Sequence, residues 1–71
     1  MVRQPVDSSN LRSVGYDPTE ELSEIEFQHG GVYLYSKVPK ETYEGLIQAS
    51  SHGMYFRDWI LDMFPYRKIH R

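Results

Sequence analysis

The spacing of hydrophobic and polar positions changes period once along this chain, from two in its first half to that of a helix in its second. Residues 11–16 mix Leu, Val and Tyr with polar residues over a strand's length. Asp17-Pro18 ends that run, because proline presets a turn dihedral and biases the residue before it to an extended form. In Ser23-Glu24-Ile25-Glu26-Phe27 strict alternation places Ile25 and Phe27 on one face and both glutamates on the other, which predicts a half-buried second strand. His29-Gly30-Gly31 then supplies turn positions, and the β-rich run 32–36 reads as a third strand. Helical spacing follows. Pro39 suits a first helical position, and Tyr43, Leu46 and Ile47 fall at i, i+3 and i+4. Ser50 or Ser51 can cap a second helix in which Phe56, Trp59, Ile60, Met63 and Phe64 repeat along one stripe until Pro65.

The pairing of the central hairpin decides the role of Tyr33 and Tyr35, since a slip of one residue sends every side chain to the opposite face. With a two-residue loop of His29 and Gly30, Phe27 pairs with Val32, and the tyrosines share the outer face with the glutamates. With a three-residue loop of Gln28 to Gly30, Gly30 takes a left-handed position, Ile25 faces Tyr33, and Ser23 faces Tyr35. The second register is favoured, because burying an aromatic ring gains roughly 2 kcal/mol and a small domain cannot easily forgo two. It leaves Glu24, Glu26, Val32 and Leu34 on the outer face.

The chain's 71 residues allow one domain, and with aromatic residues at 14% and no cysteine its stability rests on packing alone. A reducing, cytoplasmic setting is the default expectation. No apolar run approaches the roughly 20 residues that span a bilayer, and the first five residues lack the apolar stretch of a signal peptide. The expected fold is α+β: a three-stranded antiparallel meander with two helices packed on one face, in the order βββαα. Residues 1–10 read as a flexible lead-in, 11–66 as the single domain, and 67–71 as a basic tail. The expected core is centred on Val14, Ile25, Phe27, Leu46, Ile47, Phe56, Trp59 and Ile60.

The formal net charge of −2 argues against a protein that coats nucleic acid, but the charges are not evenly spread. Glu20, Glu21, Glu24 and Glu26 form an unopposed acidic middle, whereas Arg57, Arg67, Lys68 and Arg71 outweigh Asp58 and Asp62 near the end.

Several short motifs occur in order: Ser8-Ser9-Asn10-Leu11, Val14-Gly15-Tyr16-Asp17, Gly31-Val32-Tyr33-Leu34-Tyr35, Val38-Pro39, Ala49-Ser50, Tyr55-Phe56 and Phe64-Pro65-Tyr66. Together they resemble the KTSC domain family, which takes its name from the C-terminal region of some lysyl-tRNA synthetases, occurs also as single-domain proteins in bacteria and phages, and carries a central Tyr-x-Tyr. The resemblance spans nearly the whole chain. It departs from the family pattern at Arg57-Asp58, where a small polar residue such as Asn often stands. It implies an accessory module for which RNA binding has been suggested from attachment to a synthetase.

RNA recognition needs basic groups for phosphates and exposed rings for stacking. Arg57, Tyr66, Arg67, Lys68 and Arg71 are the candidate set, weighed against a solvated basic tail. The alternative is a protein-interaction module using the open sheet face, at Val32 and Leu34, or an edge strand. Neighbouring positions on a helix do not face each other, so Ser51 reads as a cap rather than as a nucleophile paired with His52. Asp58 and Asp62 read as a wet helix face, and Glu24 and Glu26 as solubilising charges. His29, His52 and His70 lack ligand spacing. Gly30-Gly31 joins strands rather than opening a helix, so a nucleotide loop is missing. No catalytic residue, cofactor, metal or membrane contact is expected.

Overall fold

A computed structural model describes residues 1–70 of the chain. Five strands and two helices follow one another as β1 (Arg3–Pro5), β2 (Leu11–Asp17), β3 (Leu22–Phe27), β4 (Val32–Tyr35), α1 (Lys40–Gln48), α2 (His52–Trp59) and β5 (Tyr66–His70). The strands form one antiparallel sheet in the order β1-β2-β3-β4-β5.

The hairpin between β3 and β4 adopts the three-residue loop. Gly30 has φ 104°, a conformation open to glycine at little steric cost, and its N–H donates to the Phe27 carbonyl at 2.9 Å while the Phe27 N–H donates to the Gly31 carbonyl. Ser23 therefore faces Tyr35 and Ile25 faces Tyr33. Tyr35 is 1% exposed and joins Leu11, Val14, Ile25, Phe27, Val38, Leu46, Phe56 and Ile60 in the core. Tyr33 is only half-buried, packed against the edge of that cluster.

Three expectations are corrected. The sheet has five strands, not three, the additional two coming from residues expected as lead-in and as tail. Neither shows an alternating pattern, since β1 is three residues long and ends in proline, and β5 is an edge strand of mostly exposed polar side chains. β1 docks because β2 carries small residues where it crosses. A methyl on Gly15 would lie 2.8 Å from the Val2 carbonyl oxygen, so only glycine lets the chain lie this close. Arg3 reaches over that gap to ion-pair with Glu24, and its second guanidinium nitrogen lies 4.0 Å from Glu26.

The second correction concerns α2. Ser51 caps it, its Oγ accepting the Met54 N–H at 3.3 Å. The helix ends at Trp59, and Ile60, at φ −125°, turns the chain away. Pro65 disfavours a helical Phe64, and β5 must return antiparallel to β4, so the helical stripe is cut short. Trp59, expected in the core, is 58% exposed, and Met63 is exposed too, while Ile60 is fully buried.

The third concerns the sheet face away from the helices. It does not present an open apolar patch at Val32 and Leu34: Val32 is 2% exposed and Leu34 half-buried. Glu26 accepts a hydrogen bond from Ser13 Oγ at 2.7 Å, so the face is a polar network anchored by Arg3.

Gly15→Ala should push β1 off the sheet while leaving the helical side intact. Hydrogen exchange should then speed up at the Val6 amide, which donates to the Arg12 carbonyl, with stability lowered by about 1 kcal/mol. An unchanged Val6 exchange rate would contradict the packing described.

Candidate functional site

β5 builds a surface out of residues that alternate across its two faces. Tyr66 pairs with Tyr35 and Lys68 with Tyr33, on the side of the sheet that bears the helices; Arg67 pairs with Leu34 on the opposite side. Together with Phe56 of α2, the rings form a connected layer. Tyr66 stacks on Tyr35 with centroids 5.3 Å apart at 30°, and tilts against Tyr33 at 5.8 Å. Phe27 meets Tyr33 and Phe56 edge-on, both at 5.4 Å, and His29 lies flat against Phe27 at 5.3 Å and 4°. Lys68 Nζ stands 5.9 Å from the Tyr33 centroid, within reach of a cation–π attraction.

These rings line a shallow depression of about 200 Å³, bounded by Phe27, His29, Tyr33, Tyr35, Leu61 and Tyr66. Its floor and rim differ in character. Tyr35 lies beneath, and burial, reinforced by neighbouring Tyr66, Tyr33 and Asp62, pushes its phenol up to about 12. Tyr66 at the rim is 57% exposed and offers a ring to solvent.

A second, larger cleft of about 630 Å³ opens between residues 7–10 and residues 50–54, with Phe27, Phe56 and Leu61 below and Arg57 at its side. The Ser8 Oγ accepts the N–H groups of Asn10 and Leu11, each at 3.2 Å, and so folds the turn that forms one wall. Across from it, His52 Nδ1 lies 2.8 Å from the Leu46 carbonyl oxygen. That oxygen can only accept, so Nδ1 carries the proton, and in that tautomer Nε2 is an acceptor. Phe27 and Leu61 line both cavities, so the two adjoin.

The structure does not gather the sequence-derived candidates into one patch. Tyr66 and Lys68 stand together over β4, and Arg67 projects from the other face of the same strand. Arg57 lies on α2 beside the larger cleft, its Nε donating to Asp58 at 3.2 Å. Arg71 lies outside the described residues. Sequence reasoning treated Tyr33 as core in this register and left His29 in a turn, yet both line the aromatic depression. The signal that could have found them is the turn itself, which aligns His29 with Phe27 beside the Tyr33 strand. Ser51 is engaged as a cap and His52 on a carbonyl, so they form no nucleophile–base pair. Among the described residues, no group of three or more His, Cys, Asp or Glu is placed to hold a metal, and no helix is long and apolar enough to cross a membrane.

Two further phenols are raised by burial. For Tyr16 the acidic neighbours Glu21, Glu41, Asp17 and Glu44 add to the effect, and for Tyr43 burial is the cause; the two rings stack at 4.7 Å, on the side of the core remote from β5.

The family model for the KTSC domain matches residues 7–64. An uncharacterized protein of Stutzerimonas stutzeri is 45% identical over 56 residues, which are 79% of each chain. A lysine–tRNA ligase of a Nostoc species is 35% identical over 63 residues, covering 89% of this chain and 11% of the ligase. The crystal structure of a KTSC domain protein from Yersinia pestis superposes with a TM-score of 0.94 at 41% identity, covering 96% of both chains.

The raised Tyr35 phenol carries a pH dependence. An unfolded tyrosine ionises near the ordinary value of 10.0, whereas the folded phenol holds its proton to about 12. Its contribution to stability is thus complete below pH 10 and is lost between pH 10 and 12, by on the order of 2–3 kcal/mol. Denaturant unfolding at about pH 9 and at about pH 11.5 checks this. Tyr35→Phe should lose markedly less stability over that interval than the wild type, and an equal loss would reject the assignment.

Proposed function

This chain belongs to the KTSC domain family, and from that premise we propose that it is a small non-enzymatic RNA-binding module whose contact surface is the aromatic edge of β4 and β5. The observation that carries the reading is the exposed Tyr66 ring at the rim of an aromatic depression, with the Lys68 ammonium on the same face. Single-stranded nucleic acid is held in this way elsewhere, by stacking bases on rings and pairing phosphates with nearby cations, without a need for sequence readout. Glu24 and Glu26, which would repel a phosphate backbone, face the other side of the sheet and are tied to Arg3. A segment similar to this chain lies within an enzyme whose name joins it to tRNA. Arg67, at the same edge, adds positive potential from the reverse face.

The competing reading, a protein-interaction module, finds less support in the surfaces it would use. β1 is blunted by Pro5, and β5 carries Arg67, Lys68 and an extra residue, Ile69, that interrupts regular pairing. The exposed side chains of Trp59 and Met63 are what favour it.

Fluorescence anisotropy with an unstructured oligouridylate tests the RNA reading. Affinity should fall steeply with salt. Tyr66→Ala should weaken binding about tenfold, the effect of removing one stacked base. Lys68→Ala together with Arg67→Ala should both weaken binding and flatten its salt dependence. An absence of binding at low salt, or binding indifferent to these variants, would remove the proposal.

A further inference from the structure

We infer that the larger cleft is a ribose subsite, which reads the 2′-hydroxyl of the same RNA strand and so makes the protein prefer RNA to DNA. The inference rests on the RNA reading above and concerns a different set of residues. Continuity comes first: Phe27 and Leu61 line both cavities, so a strand with a base against Tyr66 continues over them into the cleft.

The groups in the cleft then select what part of a nucleotide it takes. Phosphate is disfavoured. Among the described residues the one cation lining it, Arg57, is engaged by Asp58 at 3.2 Å, and Asp7 adds a carboxylate to the opposite wall. What remains is a set of neutral hydrogen-bonding groups around an apolar floor.

Their protons are placed by the bonds they already make. Ser8 Oγ accepts two backbone N–H groups and Ser51 Oγ accepts one, so each hydroxyl hydrogen remains free to be donated. His52 donates through Nδ1 to the Leu46 carbonyl, which leaves Nε2 as an acceptor. The cleft thus combines free donors with an acceptor. A 2′-hydroxyl is both donor and acceptor and matches this set, whereas deoxyribose has only hydrogen at that position and cannot donate from it.

The experiment compares oligouridylate with the oligodeoxyuridylate of the same length, which differ only in that hydroxyl. Wild-type protein should bind the RNA roughly fivefold more tightly, the effect expected of one additional net hydrogen bond. Ser8→Ala should bring the ratio toward one by weakening RNA binding alone, whereas Tyr66→Ala should weaken both ligands alike. Amide chemical shifts of the wild type provide a readout that does not depend on a variant folding. RNA should perturb residues 8–10 and 51–53 along with those of β5, and DNA only those of β5. Equal affinity for RNA and DNA, or a preference that persists in Ser8→Ala without shifts at residues 8–10, overturns the ribose subsite while leaving the aromatic edge in place. Failure to bind either strand overturns both.

Discussion

The pairing of Ser23 with Tyr35 and of Ile25 with Tyr33 is the constraint from which the other placements follow. It is set at one turn, where Gly30 supplies a backbone conformation that side chains with a Cβ rarely adopt. Once this register holds, Tyr35 enters the core, meets Phe56 of α2 edge-on at 5.4 Å, and presents a flat partner to Tyr66. One ring therefore joins the hairpin, the second helix and the last strand. A slip of one residue would carry both tyrosines to the face of Glu24 and Glu26 and empty the core on the other side.

The two faces of the sheet solve different problems. On the helical face, apolar burial supplies stability, and past Tyr35 the same aromatic rows continue as surface at Tyr33 and Tyr66. On the other face small residues at Ser13 and Gly15 let Arg3 bridge from β1 to the glutamates of β3. The charge of Glu24 and Glu26 is thereby held on the face opposite Tyr66 and Lys68, which leaves Asp62 as the carboxylate felt at Tyr35.

The central hairpin, its register and the Ser51 cap were legible in the sequence because each rests on contacts between near neighbours: an alternating strand, a glycine turn, a hydroxyl one turn ahead of the amide it caps. β1 and β5 were not: β1 pairs locally but is only three residues long and ends in proline, while β5 pairs with residues more than 30 positions back, and neither shows a hydrophobic alternation of its own. Trp59 was misplaced for a related reason, as its helical spacing holds only while the helix continues, and tertiary return of the chain ends it at Ile60. For the site, Tyr66 and Lys68 could be singled out by residue type, but that Arg67 leaves from the other face follows only from the β4–β5 register. The serine-rich cleft was beyond reach, because it joins two loops some 40 positions apart; Ser8-Ser9-Asn10 and Ala49-Ser50 were visible as motifs without any sign that they meet.

β5 completes the sheet only after both helices have intervened, and it is held from one side alone. Closing so long a loop carries an entropic cost, and a strand paired along one edge with exposed side chains is among the parts of a fold that open most readily. Undocking this single strand would take away Tyr66 and Lys68 together while the hairpin and helices kept their shape. Under the RNA reading, the occupancy of the docked form acts as a gate, since the affinity of the aromatic edge would be the intrinsic affinity multiplied by the fraction of molecules in which the strand is seated.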